Sequence, residues 1–168
     1  DLSTTIDARL MEGQLDLALQ TGPFKSKVFA SEALGQEHYC WVANSDLIQN
    51  VSAAPTLPEL FELTIFTHAK HTQACAALHN LSARQGLRPE RIVHSSALSA
   101  CVPMVLEGLG VALLPARLIE AEVAAGDLHK IDASWHPEPL SFFARYAPAR
   151  AALYVEKAAQ IAKVAMRT

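Results

Sequence analysis

The sequence predicts an α/β protein, and three observations carry that expectation. Short apolar runs alternate along the chain with segments of helical periodicity, an order that builds mostly parallel sheets. Glycines recur just after the helical segments, at Gly13, Gly86, Gly108 and Gly126, where a residue without Cβ readily takes the left-handed conformation that ends a helix. The stretch Met104-Val-Leu-Glu107-Gly108-Leu-Gly110-Val-Ala-Leu-Leu114-Pro115 shows both features at once. It reads as a helix stopped by Gly108, a tight turn, and a strand apolar throughout, as expected of one covered on both faces. Pro115 has no N–H for a ladder and ends that strand. The glycine pair is not a dinucleotide fingerprint, which needs strand first, helix second and a third glycine.

The remaining elements follow in order. Residues 4–12 read as a helix capped by Ser3 or Thr4, with Asp7 as the capping-box partner of Thr4 and Ile6 and Leu10 on one face. Leu15–Leu19 is a buried strand, broken by Thr21-Gly-Pro-Phe24. Lys27–Leu34 is a second strand, and Glu37–Ala43 a third that crosses from one lobe to another. Asn44–Thr56 is polar and turn-prone, and a short helix starts at Pro58-Glu-Leu-Phe61. Leu63–Thr67 is a strand, and the helix over about Thr72–Gln85 closes at Gly86. Arg91–Ser95 is again a strand. The helix before Gly108 begins near Ser99 or Ala100, because Pro103 must sit in its first turn, where a lost N–H costs little. Ala116–Ala125 is a helix, Leu128–Ile131 a short strand, and Leu140–Tyr146 a strand that crosses back. Residues 150–166 form an alanine-rich helix with Leu153, Ala158, Ile161 and Ala165 facing inward.

Composition narrows the function classes. The 168 residues suit one domain or two small lobes with a real core. A hydrophobic fraction of 51% with 18% charged residues excludes a disordered chain. The net charge of −3 and the lack of any basic run argue against stand-alone nucleic-acid binding, which depends on neutralising phosphates. Cys40, Cys75 and Cys101 are odd in number and lack CxxC spacing, so they read as reduced cytosolic thiols. No secretory signal opens the sequence and no apolar run reaches bilayer length.

Wording and order together carry a resemblance. Glu107-Gly-Leu-Gly-Val-Ala-Leu-Leu-Pro115 resembles the signature near the end of the effector-binding domain of LysR-type transcriptional regulators. Leu10-Met-Glu-Gly13-Gln-Leu15-Asp16-Leu-Ala-Leu19 is similar to an earlier block of the same family. Leu34 to Val42, Thr56-Leu-x-Glu-Leu60, Gly126-Asp-Leu128 and Pro139-Leu-Ser-Phe-Phe143 match in family order. The resemblance implies a two-lobed, type II periplasmic-binding-protein-like fold with a two-strand hinge. Its lobes would be about residues 1–40 with 145–168, and 41–144. It implies a cytoplasmic, oligomeric regulator that takes a small polar or anionic effector between the lobes, needs no cofactor, and reaches DNA only through an N-terminal part missing here. The alternative on the same fold is a solute-binding protein of a transport system.

Candidate effector contacts lie at three expected helix starts: Ser3 and Thr4; Thr67 and His68, with Thr72; and Ser95, Ser96 and Ser99. A helix start offers free N–H groups and the positive dipole end, which suit a carboxylate or phosphate. Any one of these hydroxyls by itself is better explained as an N-cap, and it is the set that favours a site. The resemblance places effector contacts at these starts and at Thr21 and Gly22. His68, His71, Cys75 and His79 invite a metal reading, since His71, Cys75 and His79 share a helix face. Three ligands spaced four apart along one helix cannot close a tetrahedron, so no metal is expected there. Catalysis has no signature: GxSxG, HExxH and P-loop patterns are all missing. Trp41 and Trp135 read as core or cleft wall, and Glu107, Glu120 and Glu122 as surface carboxylates. In the resemblance the first lobe opens with a strand, a helix and a second strand ahead of Asp1. Without them the Leu15–Leu19 strand keeps an open edge, so the chain is expected to be a fragment or an oligomer joined through residues 15–21.

Overall fold

The computed structural model describes residues 3–22, 24, 30–70, 72–87 and 91–166. In chain order the helices are α1 (Ser3–Met11), α2 (Ser45–Ile48), α3 (Leu57–Phe61), α4 (Gln73–Arg84), α5 (Cys101–Leu106), α6 (Glu120–Ala125) and α7 (Leu153–Ala165). The strands are β1 (Leu17–Thr21), β2 (Ala30–Glu37), β3 (Tyr39–Asn44), β4 (Ile65–His68), β5 (Ile92–Ser95), β6 (Val111–Pro115), β7 (Leu128–Ile131) and β8 (Leu140–Tyr146). Two compact units result: Asp1–Glu37 with Pro139–Thr168, and His38–Glu138. The breaks fall at Glu37/His38 and Glu138/Pro139, earlier than the 40/41 and 144/145 read from sequence, because every backbone partner of β8 lies in the first unit.

In the first unit β8 is the central strand, antiparallel to β1 on one side and to β2 on the other. A register shift between Ala33 and Gly35 bends β2. Helix α7 covers this sheet with Val155 and Ala159, which pack with Leu34, Ala144 and Tyr146; Ala162 and Met166 extend the contact. The expected inward face is therefore corrected. Leu153 and Ile161 are 68% and 69% exposed, because the apolar residues of α7 spread over more than one face and only the sheet selects the 155/159/162/166 stripe. The β1 expectation also changes: the strand starts two residues later, buries Ala18 and Gln20, and leaves Leu19 54% exposed. Among the described strands β1 is bonded on one side alone, to β8.

Gln20 turns inward to meet the buried Asp7. Asp7 on α1 accepts from Gln20 Nε2 at 2.8 Å and is ion-paired with Arg145 on β8. The Arg145 guanidinium also lies 4.0 Å from the centre of the Phe24 ring, a favourable cation–π placement. Asp7, read from sequence as a partner for Thr4, is thus a core residue, tied to a cation 138 positions away in the chain.

In the second unit the sheet order is β5-β4-β6-β3-β7. Strand β4 runs parallel to β5 and β6, while β3 runs antiparallel to β6 and β7. The expectation of mostly parallel sheets is overturned: the first sheet is antiparallel throughout and the second is mixed. The central strands behave as the sequence implies, with Val111 to Leu114 and Trp41 to Ala43 buried. On one face Val42, Phe66, Ala112 and Leu114 pack against Cys101, Val102 and Val105 of α5, with Ile119 and Leu128 completing the cluster. Trp41 is fully buried and donates from Nε1 to Trp135 O at 2.8 Å, so it belongs to the core.

Two local features hold this unit's turns. Asn44 caps the four-residue α2, its Oδ1 accepting from Leu47 N at 2.9 Å, while its Nδ2 donates to Leu106 O at the end of α5. Such a short helix has no readable period, which is why the sequence of Asn44–Thr56 reads as polar and turn-prone. Helix α3 opens on a capping box, with the Glu59 carboxylate accepting from Thr56 N–H and Oγ1, both at 2.7 Å. That bonding gives physical content to the Thr56-Leu-x-Glu-Leu60 match.

Candidate functional site

Strands β4 and β5 lie side by side in parallel register, pairing Thr67 with His94 and His68 with Ser95. Both strands end there, so their carboxyl ends deliver Thr67, His68, Ser95 and Ser96 to one place. Carboxyl ends of parallel strands are where α/β sheets bind ligands, because the strands stop and the connecting loops diverge.

The side chains at this end are unequal. Thr67 is fully buried and its Oγ1 faces Leu113 O at 3.5 Å, so the hydroxyl serves the core. His68 is half-buried, with Nε2 3.1 Å from the Tyr39 hydroxyl and the rings edge to face. Burial pushes its pKa below the usual imidazole value, so the ring is biased toward its neutral form. Ser95 Oγ donates to Ala97 O at 2.8 Å and accepts from Ala97 N at 3.1 Å, folding the loop on itself. Ser96 and Ser99 are exposed, Ser99 within the single tight turn Leu98–Ala100 that leads into α5. Thr72 is the N-cap of α4, accepting from Cys75 N and donating to Ala69 O.

In the first unit Thr21 and Gly22 close β1 and are half-buried. Ser3 and Thr4 form the start of α1, and their side chains lie outside the described residues. The nine candidates therefore divide between the two units. In the larger one, His68, Ser95 and Ser96 are brought together by strand register, with Ser99 following in the β5–α5 connection.

Beside this end sits a second group. Cys75 and His79 face β5 from α4, and His94 of β5 meets them; the potential ligand atoms of the three all lie within 4.8 Å of one another. His94 Nδ1 is 3.0 Å from His68 O and 3.4 Å from Cys75 Sγ, and its Nε2 is 3.4 Å from His79 Nε2. Burial raises the Cys75 thiol pKa, opposed by the charge of Lys70. Burial lowers the His79 pKa, and the charges of His94 and Lys70 add to that. The sequence set of His68, His71, Cys75 and His79 is thus rearranged. His68 turns to Tyr39, His71 lies outside the described residues, and His94 joins. Sequence reading missed both His94 and Tyr39, since only the pairing of β4 with β5 and the fold of β3 bring them near. Cys40, Cys75 and Cys101 are all buried, and none is in a disulfide.

The comparisons with known proteins fit this frame. The family profile described as LysR substrate binding domain matches residues 1–162. The chain belongs to the LysR substrate-binding domain family. No curated protein sequence matches it. The regulatory domain of CcmR from Synechocystis PCC6803, solved in complex with 2-PG, is similar with a TM-score of 0.77 at 14% identity, covering 99% of this chain and 81% of that one. The apo regulatory domain of HypT from Salmonella typhimurium has a TM-score of 0.74 at 18% identity, covering 99% and 79%. The reduced regulatory domain of OxyR2 from Vibrio vulnificus has a TM-score of 0.72 at 20% identity, covering 99% and 78%. The LysR fold is the two-lobed type II periplasmic-binding-protein-like one, and the family assignment favours a ligand-sensing regulatory domain over a transport protein. No helix among the described residues is long and apolar enough to cross a membrane.

Proposed function

We propose that this LysR-family domain senses a small polar or anionic metabolite through His68, Ser96 and Ser99, with Ser95 shaping the loop that presents them. The family resemblance adds Ser3, Thr4, Thr21 and Gly22 as further candidate contacts. Thr67 supports the site from within the core. One observation carries this reading: the in-register pairing of His68 with Ser95 at the shared carboxyl end of two parallel strands. A neutral half-buried imidazole and exposed hydroxyls suit hydrogen bonding to a carboxylate or phosphate oxygen without demanding a full ion pair.

The domain acts by binding and not by catalysis, within a cytoplasmic regulator whose DNA contacts come from another part of the protein. An effector changes the output only to the extent that it binds two arrangements of the lobes differently. A thermal-shift screen of small carboxylates and phosphates, followed by calorimetry on the best of them, tests the proposal. Ser96→Ala combined with Ser99→Ala should weaken binding by about 1–3 kcal/mol, or roughly 5- to 150-fold, with the fold intact. Unchanged affinity in that double variant would refute the site.

A further inference from the structure

We propose that Cys75, His79 and His94 form a site for a zinc-class divalent cation, with one coordination position left open. It stands apart from the effector reading and rests on three arrangements. The first is placement. Cys75 and His79 are one helical turn apart on α4, so they project from one face. The third donor comes from β5, across from the helix rather than further along it. That removes the obstacle a third donor on the same helix would meet.

The second is tautomer. A carbonyl oxygen only accepts, so the 3.0 Å contact with His68 O puts the proton of His94 on Nδ1. The bare Nε2 of the neutral ring then faces His79 Nε2. Backbone carbonyls hold metal-bound histidines in this way, fixing the ring and leaving the other nitrogen as ligand. The third is spacing. Two imidazole nitrogens on one tetrahedral zinc, each about 2.0–2.1 Å from the metal, stand about 3.3 Å apart. Here His79 Nε2 and His94 Nε2 are 3.4 Å apart. Cys75 Sγ stands 3.4 Å from His94 Nδ1, so a side-chain rotation at Cys75 is what carries the sulfur toward a metal held at Nε2.

The chemistry of the set selects the metal. One thiolate and two imidazoles are a borderline-soft group that suits zinc or cobalt and not magnesium or calcium. On binding, Cys75 gives its proton to solvent and its sulfur lone pair to the cation, which leaves a net charge of +1 on the site. The exposed Lys70 opposes that charge from the solvent side, where water and salt screen it. The competing arrangement is an ordinary hydrogen-bonded chain, with His79 Nε2–H donating to His94 Nε2 and nothing bound.

Cobalt(II) separates the two. The 168-residue chain, free of any histidine tag, is titrated with cobalt and followed by absorption. The site should give tetrahedral d–d bands and a thiolate-to-cobalt charge-transfer band that saturate at one cobalt per chain, and zinc should bleach both. Cys75→Ser should remove the charge-transfer band, and His94→Gln should weaken binding at least tenfold. His129→Ala, a histidine bonded to Ser45 elsewhere in the unit, should change neither. Circular dichroism reports whether each variant keeps its fold, and His94→Gln decides if Cys75→Ser does not. Absence of tetrahedral bands, or bands that survive in His94→Gln, would overturn the site whatever becomes of effector binding.

Discussion

Replacing Gly110 by alanine should destabilise the larger unit more than the same change at Gly108 or Gly126, and the order follows from geometry. Gly110 has no left-handed backbone to protect. Its constraint is space: an added Cβ would stand 2.9 Å from the Thr64 carbonyl carbon and 2.9 Å from its Cβ, and closer still to its oxygen. Backbone cannot swing aside as a side chain can, so β6 must move away from the residue before β4. That same Thr64 oxygen accepts from Val111 N at 2.9 Å. Forcing the strands apart costs about 1–3 kcal/mol of overpacking, and stretching a buried backbone bond adds about 1 kcal/mol. The expected loss is about 2–4 kcal/mol. Gly126, by contrast, has φ +83° and nothing within 4 Å of a Cβ, so alanine there pays only the left-handed penalty of about 1–2 kcal/mol. Gly108 lies between: φ is +71° and a Cβ would meet Asn44 Nδ2 at 2.9 Å, the atom that bonds Leu106 O. At about 2–4 °C per kcal/mol for a chain of this size, Gly110→Ala should melt about 4–16 °C lower, and Gly126→Ala about 2–8 °C lower. Thermal melts followed by circular dichroism give the ranking directly. If Gly110→Ala melts at or above Gly126→Ala, the close approach of β6 to Thr64 is wrong.

Other perturbations test separate parts of the molecule. Burial lowers the pKa of His68, so the folded chain holds fewer protons there than the unfolded one. Stability contributed by this neutral ring is therefore complete above about pH 6.5 and falls as the pH drops toward the folded value. His68→Gln should flatten that part of the profile of melting temperature against pH, and an unchanged slope would remove His68 from the account. Asp7→Ala should cost about 3–5 kcal/mol by leaving the Arg145 charge buried without its carboxylate, read by urea unfolding. A loss under 1 kcal/mol would show that water reaches the pair. Strand β1, bonded on one side among the described strands and carrying exposed Leu19, should draw a second copy of the chain to its edge. Leu19→Lys should then shift sedimentation toward the monomer, and a wild-type chain that is already monomeric would refute this.

Much of this architecture was legible in the amino-acid order. The helices at 3–11, 73–84 and 101–106 and the apolar β6 announce themselves through local period, caps and glycine stops, all set by neighbours within a few residues. Gly86, Gly108 and Gly126 were readable for the same reason, since a left-handed helix end is a local event. Family membership was readable too, because the matched blocks occur in order along nearly the whole chain. Other features needed the fold. The stripe that α7 buries could not be read from a helix whose apolar residues spread over more than one face; the antiparallel sheet of β1, β8 and β2 selects it. The inward turn of Asp7 and Gln20 depends on Arg145, and the reason for Gly110 is the carbonyl of Thr64. His94 and Tyr39 reach Cys75, His79 and His68 only through sheet pairing and packing. Local order is governed by torsions and hydrogen bonds between near neighbours, whereas a site of converging side chains depends on strand register and packing between distant segments, and those arise only when the whole chain closes on its core.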